Sequence, residues 1–136
     1  MTGGKGSGGL PARSARFPAS ARLLKHADFE RVYKMGRRHF APHLTVFFLA
    51  RAEGNGLRVG LTVGRGLGGA VQRNRIKRRL REAVRLHRGE STVAADVVIN
   101  PKRSVLAVEF EMLAEEVKRA FAIIQQKLGE NSAQRG

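Results

Sequence analysis

"LRVGLTVGRGLGGAVQRNRIKRRLREAVRLHR", residues 57–88, changes its period part-way along. Its first eight residues alternate: Leu57, Val59, Leu61 and Val63 on one side, Arg58, Gly60, Thr62 and Gly64 on the other, which is the spacing of a strand with one buried face. Later the spacing becomes helical. At about 100° per residue Ile76, Leu80, Ala83 and His87 fall on one stripe with Val84 beside it. The glycine-rich link "GRGLGGAV" lets the chain turn from one element into the other. A half-buried strand followed by an amphipathic helix calls for a sheet with helices packed on it, the α+β class.

Working outward, "LTVFFLAR", residues 44–51, is β-branched and aromatic and reads as a strand. Leu44, Val46, Phe48 and Ala50 share one face of it, and Thr45, Phe47, Leu49 and Arg51 share the other. Both faces are largely apolar. "EGNG", residues 53–56, carries the Asn-Gly pair favoured in tight turns and predicts an antiparallel hairpin joining this strand to the next. Upstream, "HADFERVYKMG" places Phe29, Val32 and Tyr33 at i, i+3 and i+4 with Gly36 at its end, a short helix. "RRHFAPH" between helix and strand reads as a basic loop. Downstream, "DVVINPK" is a short apolar strand stopped by Pro101. Phe110, Leu113, Val117, Phe121, Ile124 and Leu128 then recur at helical spacing in a long closing helix whose exposed face carries Glu109, Glu111, Glu115 and Glu116. The order is helix, two strands, helix, strand, helix, with three or four strands in one sheet.

Residues 1–21 mix Gly, Ser, Pro and Arg without apolar periodicity and are expected to form a flexible basic arm. The domain is expected over residues 22–128, with a flexible tail at 129–136. Glycines and prolines spoil an amphipathic targeting helix at the N-terminus, and no apolar run approaches the ~20 residues needed to span a bilayer. The chain has no cysteine, which removes disulfides and thiolate chemistry and suits a reducing compartment. A soluble, cytoplasmic protein without a membrane partner is expected.

The formal charge is +15, with 26 basic and 11 acidic residues. Residues 1–89 carry +16 and residues 90–136 carry −1, so one part of the molecule faces a polyanion and the rest mostly builds structure. Arginine supplies 19 of the cations. Its planar fork matches phosphate oxygens bidentately and stacks on bases, a bias towards nucleic acid.

That charge peaks on the helix already found, where residues 73–88 hold eight basic side chains and one acid, Glu82. Lys77, Arg88, Arg81, Asn74, Arg85 and Arg78 cluster on an arc beside the apolar stripe, and Arg75 and Arg79 approach from the opposite flank. Nearly every cation lacks an acid at i, i+4. Anionic lipid, a calmodulin-like protein and nucleic acid could each accept such a face, and lipid-binding helices usually carry large aromatics on the apolar stripe. The stripe is instead sized for packing on a sheet, which favours nucleic acid. Phe29 and Tyr33, one turn apart, and Phe47 on the second face of its strand form either a stacking platform for unpaired bases or ordinary core.

"RNRIKRRLREAVR" resembles the signature of the bacterial ribonuclease P protein component. Its setting agrees, with "LLKHADFERVYKMGRR" upstream, "LRVGLTVGRGLGGAVQRNR" leading in and "DVVINPK" after. The resemblance spans about residues 22 to 127. It implies the small protein partner of a catalytic RNA that removes the 5′ leader from precursor tRNA, with Mg2+ ions held by the RNA subunit and no obligate protein partner. It implies that Arg73, Asn74, Arg75, Lys77, Arg78 and Arg81 face the catalytic RNA, and that Phe29, Tyr33, Phe47 and Arg65 line a cleft for the leader. It also implies a mixed sheet of about four strands with three helices, similar to domain 2 of ribosomal protein S5, with a left-handed β-α-β crossover. The family's Ser-Lys-Lys type segment before the helix is replaced by Gly64-Arg65-Gly66. The alternative function is a structural rRNA-binding protein of ribosomal type.

Protein-only hydrolysis would need grouped carboxylates or paired histidines. The chain has two aspartates, Asp28 and Asp96, with no cluster expected around them. His39 and His43 are separated by Pro42, which disfavours a helix that would align them. His87 lies on the apolar stripe, and no Walker pattern follows the glycine-rich link. No catalytic residue and no metal ligand are expected in this chain.

Overall fold

The structure, a computed structural model, describes residues 25–135. In chain order the elements are α1 (His26–Met35), β1 (Arg37–Phe40), β2 (Leu44–Ala50), β3 (Leu57–Leu61), α2 (Ala70–His87), β4 (Ala95–Pro101) and α3 (Phe110–Arg135). Short 3-10 turns at Arg65–Leu67, Arg88–Glu90 and Arg103–Leu106 link them. The four strands form one mixed sheet in the order β1-β2-β4-β3, with β4 antiparallel to β2 and parallel to β3. Thus β3, α2 and β4 make a β-α-β crossover. The class is α+β, a four-stranded sheet with three helices.

The hairpin expected between β2 and β3 does not form, because β4 lies between them. Asn55-Gly56 could close neighbouring strands, but here the link must cross two strand spacings, roughly 10 Å. Residues 51–56 instead wrap the start of β4: Arg51 N–H donates to Ala94 O at 2.9 Å, Gly56 N–H to Thr92 O at 3.2 Å and Ala95 N–H to Gly56 O at 3.3 Å. Gly54 and Gly56 supply the positive φ angles, +83° and +77°, that this path requires. β4 takes the centre because Val97, Val98 and Ile99 are buried on both of its faces. Such a strand needs a neighbour on each edge to satisfy its backbone.

The real hairpin lies upstream. β1, read in sequence as a basic loop, pairs antiparallel with β2 through Arg37↔Phe48, Arg38↔Phe47, His39↔Val46 and Phe40↔Thr45. "RRHF" lacks the β-branched residues that mark strands, and pairing with β2 decides its conformation. Gly36 joins α1 to β1 in ordinary extended backbone. A Cβ there would sit 2.5 Å from Val32 O and 2.7 Å from Phe48 O, so only glycine permits the approach.

The sheet has two covered faces. Leu44, Val46, Phe48, Leu57, Val59, Val97 and Ile99 point into the main core, against Ile76, Leu80, Ala83 and Val84 of α2 and Leu113, Val117, Phe121 and Ile124 of α3. On the other face α1 lies across β2 and β4, and Val32 and Val98 are buried there, outside the main core. α3 continues past Leu128 to Arg135, into the span 129–136 expected as a tail. The expected basic arm, residues 1–21, lies outside the described residues.

Candidate nucleic-acid interface

α2 separates its two roles by angle. Burial of Ile76, Leu80 and Val84 on the sheet side contributes about 1.5–3 kcal/mol each and fixes the helix orientation. Asn74, Arg75, Arg78 and Arg81 then stand exposed on the far side, while Arg73 and Lys77 are half-buried on the flank. Arg73 Nε is buried without a hydrogen-bond partner. Two cations expected to be unpaired are committed within the protein: Arg85 pairs with Glu82, and Arg79 donates to the backbone carbonyl of Val108, tying α2 to the start of α3. Arg85 holds the Glu82 carboxyl below its usual range. His87 sits half-buried with Nδ1 3.1 Å from Glu90 Oε2.

Tyr33 and Phe47 meet on the opposite face of the sheet, ring centroids 4.9 Å apart in an edge-to-face contact. The Tyr33 hydroxyl donates to Asn100 Oδ1 at 2.8 Å and lies 2.8 Å from Thr62 Oγ1, so the hydroxyl end is anchored while the residue is 39% exposed. Phe29 is half-buried one turn earlier on α1 and makes no described ring contact with either. Arg65 is exposed in the turn following Thr62, at the same end of the sheet, without a described contact to the rings. At Gly64 and Gly66 an added Cβ would meet nothing within 4 Å, so these glycines are not demanded by packing.

The aspartates are not isolated. Asp96, 1% exposed on β4, takes Arg58 Nε at 2.7 Å and Nη2 at 2.9 Å, Arg31 Nη2 at 3.2 Å and Arg51 Nη1 at 3.4 Å. Asp28 on α1 binds Arg31 at 2.8 Å and lies 3.7 Å from Arg58. Asp28 also accepts the Lys25 backbone N–H, the main reason its carboxyl stays below the ordinary range. The network locks α1 to β3, β4 and the β2–β3 link, and so sets where Phe29 and Tyr33 stand over the sheet. An aspartate inside an apolar strand was the available signal, since a buried carboxylate needs cationic partners.

His43 lies in the β1–β2 link, where its backbone N–H donates to Glu116 Oε2 at 2.8 Å and its Nδ1 is 2.7 Å from Ser104 Oγ. His39, half-buried on β1, is held below the usual imidazole range by burial first and then by Lys127. Among the described residues no three His, Asp or Glu side chains are grouped to hold a metal ion, and no helix is long and apolar enough to cross a membrane.

The chain that builds this sheet, with an aromatic pair on one side and a cationic helix on the other, is similar to known proteins. The family model described as Ribonuclease P matches residues 17–125. The chain belongs to the ribonuclease P protein family. It is 41% identical over 103 residues to the ribonuclease P protein component of Desulfovibrio desulfuricans, covering 74% of this chain and 79% of that one. With the component of a Geobacter species it shares 36% over 118 residues, 84% and 97% of the two chains. The solved Staphylococcus aureus RNase P protein superposes with a TM-score of 0.67 at 28% identity, covering 77% of this chain and 95% of that one. The Thermotoga maritima protein gives 0.66 at 27%, covering 74% and 94%. As a ribonuclease P protein the chain is the RNA-binding subunit that assists a catalytic RNA in removing the 5′ leader of precursor tRNA. The magnesium-dependent hydrolysis belongs to the RNA subunit.

Proposed function

We propose that the two faces of the sheet serve two RNA strands. The exposed arc of α2, with Asn74, Arg75, Arg78 and Arg81 flanked by Arg73 and Lys77, docks on the catalytic RNA. Phe29, Tyr33 and Phe47, with Arg65 at the rim, hold the unpaired 5′ leader. Residues 22–128 make up this RNA-binding unit, working in the cytoplasm. The observation that carries the reading is the bracing of Tyr33 by Phe47, Asn100 and Thr62. Tyr33 is anchored by its hydroxyl while 39% exposed, and a stacking surface gains from freedom lost before the ligand arrives.

The test is reconstitution with a bacterial ribonuclease P RNA at low magnesium. The complete holoenzyme matures the 5′ end of precursor tRNA under conditions where neither component does so alone. It also binds precursor tRNA more tightly than mature tRNA, and Phe47→Ala reduces that preference about tenfold. Equal improvement for both tRNAs would defeat the leader assignment.

A further inference from the structure

β1 carries a feature that neither face of the interface has used. Phe40 is 70% exposed at the edge of the sheet, and the Arg38 guanidinium carbon lies 5.6 Å from its ring centroid. Residues directly opposite in an antiparallel pair share a face. Arg38 stands opposite Phe47 and Phe40 opposite Thr45, so both project on the side of the sheet that holds Tyr33 and Phe47. His39, opposite Val46, projects the other way, where Lys127 and Glu116 act on it. Phe47 and Phe40 are thus diagonal neighbours across β1 and β2, roughly 7–8 Å apart at the backbone.

We propose that Arg38 and Phe40 form a further nucleotide position: the open side of the Phe40 ring stacks an unpaired ribonucleotide base, and Arg38 pairs with the adjoining phosphate. This rests on the reading of the Tyr33–Phe47 face as the leader site and extends it to the sheet edge. Charge supports an RNA occupant, since the chain has no acidic residue between Glu30 and Glu53 while Lys34 and Arg38 fall in that interval. Glu116 lies on the other side of the sheet, where it acts on His39 and accepts the backbone N–H of His43. A second copy is the competing occupant of an open strand edge, but antiparallel pairing of two β1 strands would crowd Arg37 and Arg38 of both copies along one four-residue edge, and like charges brought together there are destabilising.

The test uses reconstituted holoenzyme and a series of precursor tRNAs whose leaders are shortened one nucleotide at a time. Phe40→Ala and Phe40→Leu each weaken binding of long-leader precursor about tenfold and leave mature tRNA unchanged. The penalty disappears below a certain leader length, while the penalty of Phe47→Ala persists to shorter leaders. Phe40→Leu keeps the apolar cover of the strand, so matching losses in both variants assign the effect to the ring's π face. If Phe47→Ala impairs leader binding and both Phe40 variants do not, the extension fails and the cleft stands. If no variant discriminates leader length, the cleft reading fails with it. Equal weakening towards mature tRNA, or a change in oligomeric state without a change in leader affinity, also overturns the proposal.

Discussion

Arg58 meets Asp96 side by side, its Nε 2.7 Å from Oδ1 and its Nη2 2.9 Å from Oδ2. The two residues are register partners on β3 and β4, and Arg31 reaches the same carboxylate from α1. Asp96→Ala would leave three guanidinium groups without their shared partner, a loss of about 3 kcal/mol. Thermal unfolding should show a melting temperature lowered by roughly 10 °C. A variant melting with the parent would mean that the network contributes nothing to the fold. Arg31→Ala, at the half-exposed end of the same network, should cost less stability yet weaken precursor binding more than mature tRNA binding, because it frees α1 beneath Tyr33.

Stability should fall in two steps as the solution is acidified. His39 is held below the ordinary histidine value of 6.5, so an unfolded chain takes up that proton at higher pH than the folded one. Its stabilising contribution is complete above 6.5 and is lost as pH falls towards the folded value. Asp28 is held below its ordinary 3.8, first by the Lys25 backbone N–H and then, against burial, by Arg58 and Arg31. That contribution persists above 3.8 and disappears only as pH drops through the lower folded value. Urea midpoints across pH 3 to 8 should therefore decline below about pH 6.5, and His39→Gln should remove the upper step alone.

Removing the cations of α2 should act through salt. Every phosphate that goes unneutralised should flatten the slope of log affinity against log salt by about 0.7–0.9. Arg75→Ala, Arg78→Ala and Arg81→Ala together should flatten it by roughly 2 to 3 for binding to the catalytic RNA, with stability within about 0.5 kcal/mol of the parent. Arg79→Ala should do the opposite, lowering the melting temperature by releasing Val108 while changing the slope little, because that guanidinium is already committed. Similar slopes for both sets would count against α2 as the docking face.

Gly66 is a place where a side chain can be added. Its φ is not positive and an added Cβ meets nothing within 4 Å. Gly66→Lys should fold with unchanged stability, tighten precursor binding several-fold at low salt and steepen the salt slope by about 0.7. No change in leader affinity would place this turn beyond reach of the strand.

Much of the fold was legible because burial writes a period into the chain. The stripe of Ile76, Leu80, Ala83 and Val84 and the alternation of Leu57 and Val59 both reappear as core. The pairing of Tyr33 with Phe47 was half legible: their types and faces suggested a platform, but a contact between residues fourteen apart is made by docking α1 on the sheet. Arg38 and Phe40 were not legible because β1 carries no strand signal of its own.

Composition, period and charge, read along the chain alone, determined the α+β class, the amphipathic helices and the concentration of cations on α2, since each depends on neighbours within a few turns. Strand order, the insertion of β4 between β2 and β3, the hairpin of β1 with β2 and the arginines gathered on Asp96 were decided only by the tertiary structure. Those features satisfy backbone and charge across residues far apart in sequence, and a local pattern carries no information about which distant strand or side chain supplies the missing partner.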